Sequence, residues 1–259
     1  MSEAVVKTGG NLIKNGDGIN TAAIFGYAAG FAETYCHQGK GLIVVTSGAA
    51  PAGKHRAEHM YGQEWANQLT LQQQAALGAT AVFNAWEQGF AEEGVLAASV
   101  PITHRQLGGG SLWRRIPNWK EKRMFAQTLH DNAQSGIVTV VNEADAISIA
   151  ELMQLKCGGD NDGLASHLAR TVGAESLTLF TKKGGVFDDD GNLITEVNRH
   201  NIHAVKQMAA RRVVGDEGRG GLSTKIEAAW QAAHEGIDAT IAAVNQDMTG
   251  DQITRFVVG

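Results

Sequence analysis

The stretch Leu42-Ile43-Val44-Val45-Thr46-Ser47-Gly48-Ala49 decides how the rest of the chain is read. Four apolar residues run without alternation, then give way to a threonine, a serine and a glycine. A strand that is apolar on both faces has to be covered on both faces, which points to a parallel sheet between helical layers. The small polar residues past its carboxyl end lie where such sheets hold ligands. Working outward, the pattern repeats. Val5-Val6 opens an earlier strand that ends in the glycine turn Gly9-Gly10, and 96–102, 137–141, 177–181, 239–244 and 254–257 read as further strands. Between them, 20–37, 64–92 (one long helix or two), 120–132, 161–172, 201–210 and 221–234 read as helices. Asp188-Asp189-Asp190-Gly191-Asn192 reads as a hairpin turn between two short strands. Strands alternating with helices imply a three-layer α/β/α sandwich with a mainly parallel central sheet.

Composition narrows the function. The chain has 259 residues, 43% hydrophobic and 19% charged, so it can bury a full core and is too apolar for disorder. Its net charge of -5 argues against a nucleic-acid partner, whose phosphates call for accumulated Lys and Arg. No apolar run approaches the roughly 18 residues of a membrane span. Met1-Ser2-Glu3 lacks a basic and apolar leader, and a cytoplasmic protein without a membrane partner is expected. Cys36 and Cys157 read as reduced core residues. No linker divides the chain, so one domain over 1–259 is expected. The irregular stretch 105–118, with Gly108-Gly109-Gly110 and Trp113, reads equally as a mobile lid or a surface insertion.

Two motifs fail on inspection. Gly48 to Gly53-Lys54 has the spacing of a phosphate-cradling loop, but His55 stands where a magnesium-binding hydroxyl is needed, and no strand ends in the second-site Asp. His55-Arg56-Ala57-Glu58-His59 has a zinc-helix spacing without an identifiable third ligand, so no metal site is assigned. What survives is a constellation. Lys7-Thr8-Gly9-Gly10-Asn11, Thr46-Ser47-Gly48-Ala49, Asn142-Glu143-Ala144-Asp145, Gly158-Gly159-Asp160-Asn161-Asp162 and Arg219-Gly220-Gly221-Leu222-Ser223-Thr224-Lys225 each follow a strand or open a helix. Helix starts offer free N–H groups to anions, and glycines let the anion approach the backbone. With Lys7 and Lys225 supplying full charges, this describes a site for a polyanion beside a small polar molecule.

These five segments, in this order from Val5 to about Val257, resemble the amino-acid kinase family, and within it the catalytic domain of the glutamate 5-kinase group. Val5-Val6-Lys7-x-Gly9 is similar to its opening glycine loop, and Thr46-Ser47-Gly48-Ala49 to its glutamate-contacting segment. Gly220-Gly221-Leu222-Ser223-Thr224-Lys225 is similar to its nucleotide-side loop. The resemblance implies transfer of phosphate from ATP, with Mg2+, to the side-chain carboxylate of a small amino acid, L-glutamate first, giving an acyl phosphate on the way to proline. It implies a catalytic set of Lys7, Lys225 and Asp162, the aspartate holding the lysines in position. Ser47, Gly48, Ala49, Asn142, Asp145 and Asn161 would bind the acceptor. Lys7, Gly9, Gly10, Thr181, Lys182, Arg219, Gly220, Gly221, Leu222, Ser223, Thr224 and Lys225 would bind ATP. The acceptor part would cover roughly 1–172 and the nucleotide part 173–259, in a homodimer or homotetramer. A carboxylate acceptor is ionised at pH 7, so no general base is called for. The acceptor could instead be another small acid or an amide-like metabolite, or the chain a non-catalytic nucleotide-binding relative.

The sequence also departs from the pattern. Ala144 stands where the group has a second Asn, and Lys182-Lys183 where it has acidic or polar residues. Phe125-Ala126-Gln127 replaces Asn-Ala-Arg, and the segment after Thr103 is longer than usual. Gly9-Gly10-Asn11 is closer to N-acetylglutamate and carbamate kinases, and a kinase domain without a following PUA domain is expected.

Overall fold

Strand β1 (Glu3–Lys7) is the spine of the sheet, in a computed structural model that describes residues 2–15, 18–102, 119–143, 161–212, 221–244 and 252–258. It pairs in parallel with β4 (Gly41–Thr46) on one side and β7 (Ser176–Thr181) on the other. Beyond β4 lie β6 (Val138–Glu143) and β5 (Ala97–Ile102), and beyond β7 lies β11 (Asp238–Ala243), all parallel. Only the far edge reverses: β12 (Ile253–Phe256) runs antiparallel to β11, and β10 (Glu196–Val197) joins β12 in parallel. Two small hairpins stand apart, β2 (Lys14–Asn15) with β3 (Gly18–Ile19), and β8 (Val186–Phe187) with β9 (Leu193–Ile194). The second turns at the predicted acidic loop, where Gly191 takes a positive φ of 86° and Asp188 accepts the backbone N–H groups of Asp190 and Asn192.

Helices cover both faces. On one lie α2 (Thr21–Phe31, prolonged by a π-helical turn Ala32–Cys36), α3 (Ala49–Tyr61) and α5 (Leu71–Glu92). On the other lie α6 (Trp119–Gln134), α7 (Asn161–Val172), α8 (Ile202–Arg211) and α9 (Leu222–His234). The short α1 (Gly10–Ile13) and α4 (Gln63–Ala66) complete the set. Strand residues alternate between the layers: Val5, Ile43, Val45, Leu177, Leu179 and Ile241 pack towards α7 and α9, whereas Ala4, Val6, Leu42, Val44 and Phe180 pack towards α2 and α5. This double burial is why the strands read as unbroken apolar runs.

The stretch 64–92 forms two helices because Thr70 caps the second. Its hydroxyl accepts the Gln73 N–H, and the Gln73 amide oxygen accepts the Thr70 N–H. Gly9-Gly10, expected as a turn, instead opens α1 at Gly10. Helix α3 falls on the stretch with the phosphate-loop spacing, and its glycine has a packing role there. A Cβ on Gly53 would lie 1.8 Å from the Gln74 carbonyl oxygen, and one on Gly78 would lie 1.9 Å from that of Ala49. The two helices thus cross backbone to backbone. The stretch 105–118 and Cys157 lie outside the described residues. Cys36 is half-buried, and burial pushes its thiol up to about 11.

Candidate active site

Parallel strands bring their carboxyl ends to one edge, and β1 is where the connections part, towards β4 on one side and β7 on the other. A crevice opens at such a switch point, and Lys7 is the last residue of β1 there. Its ammonium nitrogen lies 2.6 Å from Asp162 Oδ1. Lys225, in the first turn of α9, places Nζ 3.2 Å from Asp162 Oδ2. Asp162, in the first turn of α7, is fully buried, and the two lysines are 5% and 6% exposed. The Thr224 hydroxyl lies 3.1 Å from Asp162 Oδ2 and 2.8 Å from the Gly221 carbonyl oxygen, and can donate to either one. One carboxylate from the middle of the chain thus joins cations from its two ends.

Electrostatics follow from that geometry. Burial alone would raise the Asp162 pKa. The charges of Lys7 and Lys225, with their hydrogen bonds, outweigh it and hold the carboxyl below the usual aspartate range. The triad carries two positive charges against one negative. Two ammonium groups at a sheet switch point are suited to a polyphosphate. Helices α3 and α9 start at Gly48 and Gly221 without side-chain caps, so their first amides add the positive end of a helix dipole at this edge.

The other expected site residues that the structure describes lie at the ends of β1, β4, β6 and β7 and at the starts of α1, α3, α7 and α9. A Cβ on Gly9 would lie 3.6 Å from the Lys7 ammonium, so the glycine keeps the approach to that charge open. One on Gly10 would lie 3.5 Å from Ser47 Oγ, which brings the β1 and β4 loops together. Gly48 adopts φ +97°, a left-handed turn that other residues avoid, and Ala49 behind it is buried. Asn142 lies beside Thr46 in the β4–β6 register. Asn161 opens α7, and its buried side-chain oxygen has no hydrogen-bond partner among the described residues. Leu222 packs on the core, and Ser223 is exposed.

Thr181, expected on the nucleotide side, is the last residue of β7. Its hydroxyl donates to the Gly184 carbonyl oxygen at 2.5 Å, so it closes a turn after β7, and Lys182 beside it is exposed. Asp145, Arg219 and Gly220 lie outside the described residues. Sequence reasoning missed Thr8, fully buried after Lys7 with its hydroxyl unpartnered among the described residues. It also missed Trp86, whose only sequence signal was its place on the apolar face of a helix. Among the described residues, no three His, Cys, Asp or Glu side chains gather as a metal cage, and no helix is long and apolar enough to cross a membrane.

Comparison with known proteins matches this framework. The amino acid kinase family pattern covers residues 3–243. The glutamate 5-kinase of Parasynechococcus marenigrum is 33% identical over 247 residues, 93% of this chain and 64% of that protein. The glutamate 5-kinase of Pectobacterium carotovorum is 33% identical over 265 residues, 98% of this chain and 67% of the relative. The chain therefore spans about two thirds of the length of these relatives. Carbamate kinase from Giardia lamblia, solved bound to AMP-PNP, shares the fold with a TM-score of 0.65 at 11% identity, over 100% of this chain and 99% of that one. N-acetylglutamate synthase from Neisseria gonorrhoeae gives 0.60 at 14% identity, over 99% of this chain and 59% of its own.

Proposed function

Because the chain belongs to the amino acid kinase family, we propose that it transfers the γ-phosphoryl group of ATP to the side-chain carboxylate of a small amino acid, with L-glutamate the leading acceptor. The observation that carries this reading is the buried Lys7–Asp162–Lys225 cluster at the sheet switch point. An ionised carboxylate oxygen of the acceptor attacks the γ-phosphorus. The bond to the β,γ-bridging oxygen breaks, and ADP leaves with the electron pair. No proton moves, so the site needs alignment and positive charge, and the absence of a Ser-His-Asp or paired-carboxylate signature fits.

Lys7 and Lys225 neutralise negative charge on the β- and γ-phosphate oxygens as the leaving group develops. Asp162 holds the two ammonium groups apart and aimed. Ser47, Gly48, Asn142, Asn161 and Asp145 hold the acceptor. Asp162 is engaged by both lysines, so it is a poor metal ligand here, and magnesium enters as part of the nucleotide substrate. The reading also carries a place in proline biosynthesis, a cytoplasmic location and a homodimeric or homotetrameric assembly.

Ala144, in place of an amide side chain, favours a second reading in which the acceptor is another small acid. Hydroxylamine trapping of acyl phosphate, with L-glutamate run beside a panel of small acids, separates the two. Signal with glutamate supports the first reading, and signal with another acid alone supports the second. Tight ATP binding without turnover of any acceptor overturns both.

A further inference from the structure

Across the sheet from the lysine cluster, a column of rings runs beneath the same edge. Trp86, fully buried on α5, stacks on Phe31 of α2 with centroids 6.0 Å apart and planes 7° from parallel. Phe31 in turn stacks on Phe180 of β7 at 5.5 Å and 25°. Phe90, one turn further along α5, backs the indole at 6.0 Å. Contacts from these rings fix the orientation of the indole. Its N–H donates to Thr46 Oγ1 at 3.0 Å. Thr46 is the last residue of β4, and its own hydroxyl lies 3.4 Å from the Ser47 carbonyl oxygen. Indole, hydroxyl and carbonyl form a relay that ends in the turn holding Ser47 and Gly48.

We propose that Trp86 is a positioning residue for the acceptor, fixing the Ser47–Gly48 peptide through Thr46 while the ring column ties that turn to the nucleotide-side end of β7. This rests on the reading of Ser47–Ala49 as the acceptor turn. The peptide plane supplies the physical link. In a trans peptide the carbonyl of Ser47 and the N–H of Gly48 point in opposite directions. Drawing the carbonyl towards Thr46 therefore turns the Gly48 N–H away from the core, free for a carboxylate. At the other end, Phe180 immediately precedes Thr181, whose hydroxyl closes the turn at Gly184. Trp86, Phe31 and Phe180 thus connect the β4 and β7 loops on either side of Lys7. The polar cluster on the opposite face supplies charge, and this column supplies the spacing.

Trp86→Phe keeps a ring in the column but removes the N–H together with part of the larger indole, whereas the Thr46 variants change the hydrogen bond with little change of volume. Thr46→Val removes its acceptor, and Thr46→Ser keeps the hydroxyl. The expected result is a rise in acceptor KM of about two- to tenfold in Trp86→Phe and Thr46→Val, the worth of one hydrogen bond. Nucleotide KM stays unchanged, Thr46→Ser behaves as wild type, and the double variant is no worse than either single one. Hydrogen exchange at the Ser47–Ala49 amides, which needs no knowledge of the acceptor, speeds up in the same two variants while the amides at the middle of α5 keep wild-type protection. Unchanged exchange at Ser47–Ala49, or exchange that rises equally throughout α5, overturns the proposal. So do additive effects in the double variant. If Trp86→Phe does not fold, the Thr46→Val and Thr46→Ser pair decides the matter alone. If no acid is turned over, the functional reading fails while the exchange result still stands or falls by itself.

Discussion

Asp162 is a buried carboxylate facing two ammonium groups, and its removal takes away the negative charge that it sets against both. Asp162→Asn is expected to lower stability by about 3–5 kcal/mol, the usual cost of breaking a buried ion pair. Added nucleotide recovers part of the lost Tm, because its phosphates replace the missing charge. Differential scanning fluorimetry with and without ATP measures both effects. The pH response has a definite sign. The folded-state pKa of Asp162 lies below the value for an unfolded aspartate. Its charged form therefore stabilises the fold above the unfolded pKa, near about 4, and that contribution is lost as pH falls through the folded value. Below about pH 4 the Tm of the wild type falls more steeply than that of Asp162→Asn, where the contribution is already gone. Thermal scans at a series of acid pH values follow the difference. The three members of this cluster could be picked out because glycines and helix starts surround them. Their meeting was implied by family likeness, since nothing local links position 7 to 162 or 225. Trp86 stayed hidden for a similar reason: its indole finds a partner forty positions away, and helical periodicity alone marks it as core.

Helix α3 is where sequence reading was weakest, and its contact with α5 explains why. Gly53 and Pro51 dilute the helical pattern, yet proline is tolerated in a first turn and Gly53 is there for a backbone crossing. A methyl group at Gly53 or Gly78 meets carbonyl oxygen at under 2 Å, so the helices have to separate. Gly53→Ala and Gly78→Ala are each expected to cost about 3 kcal/mol or more, at the upper end for overpacking. Because α3 begins just after Gly48, they also disturb the Ser47–Gly48 turn. Gly26→Ala is the control: it sits inside α2 with nothing within 4 Å of the added Cβ, and a gain of about 0.5–1 kcal/mol is expected from helix propensity. Chemical denaturation of the three variants tests the contrast. The longer strands of the main sheet, by comparison, were legible to within two residues, unlike the two-residue β10 at its edge. The small hairpin Lys14–Ile19 was not, because its two-residue strands are too short to show a period.

For the whole molecule, the sheet order matters more than the sequence order. β1 comes first in the chain yet lies at the centre, between a strand that starts at 41 and one that starts at 176. Each of the two core layers draws residues from both sides of position 172. A fragment ending at 172 would expose one edge of β1 and leave α7 without α9. We expect a single cooperative transition for the full chain by calorimetry and no folded state for that fragment by circular dichroism. Alternation of strand and helix gave the layers and the parallel sense. It could not give the strand order, or the reversal of β12 at the edge, because both depend on which surfaces remain to be covered after local structure has formed.

The most direct measurement is ATP-dependent acyl phosphate formation, trapped as the hydroxamate, in the wild type beside Lys7→Ala and Lys225→Ala, with the fold of each verified by circular dichroism. Charge neutralisation by a preorganised cluster predicts robust signal in the wild type and a fall of roughly a hundredfold or more in each variant. Variants that fold and retain the rate within a few-fold would contradict a phosphoryl-transfer role for the cluster at Asp162.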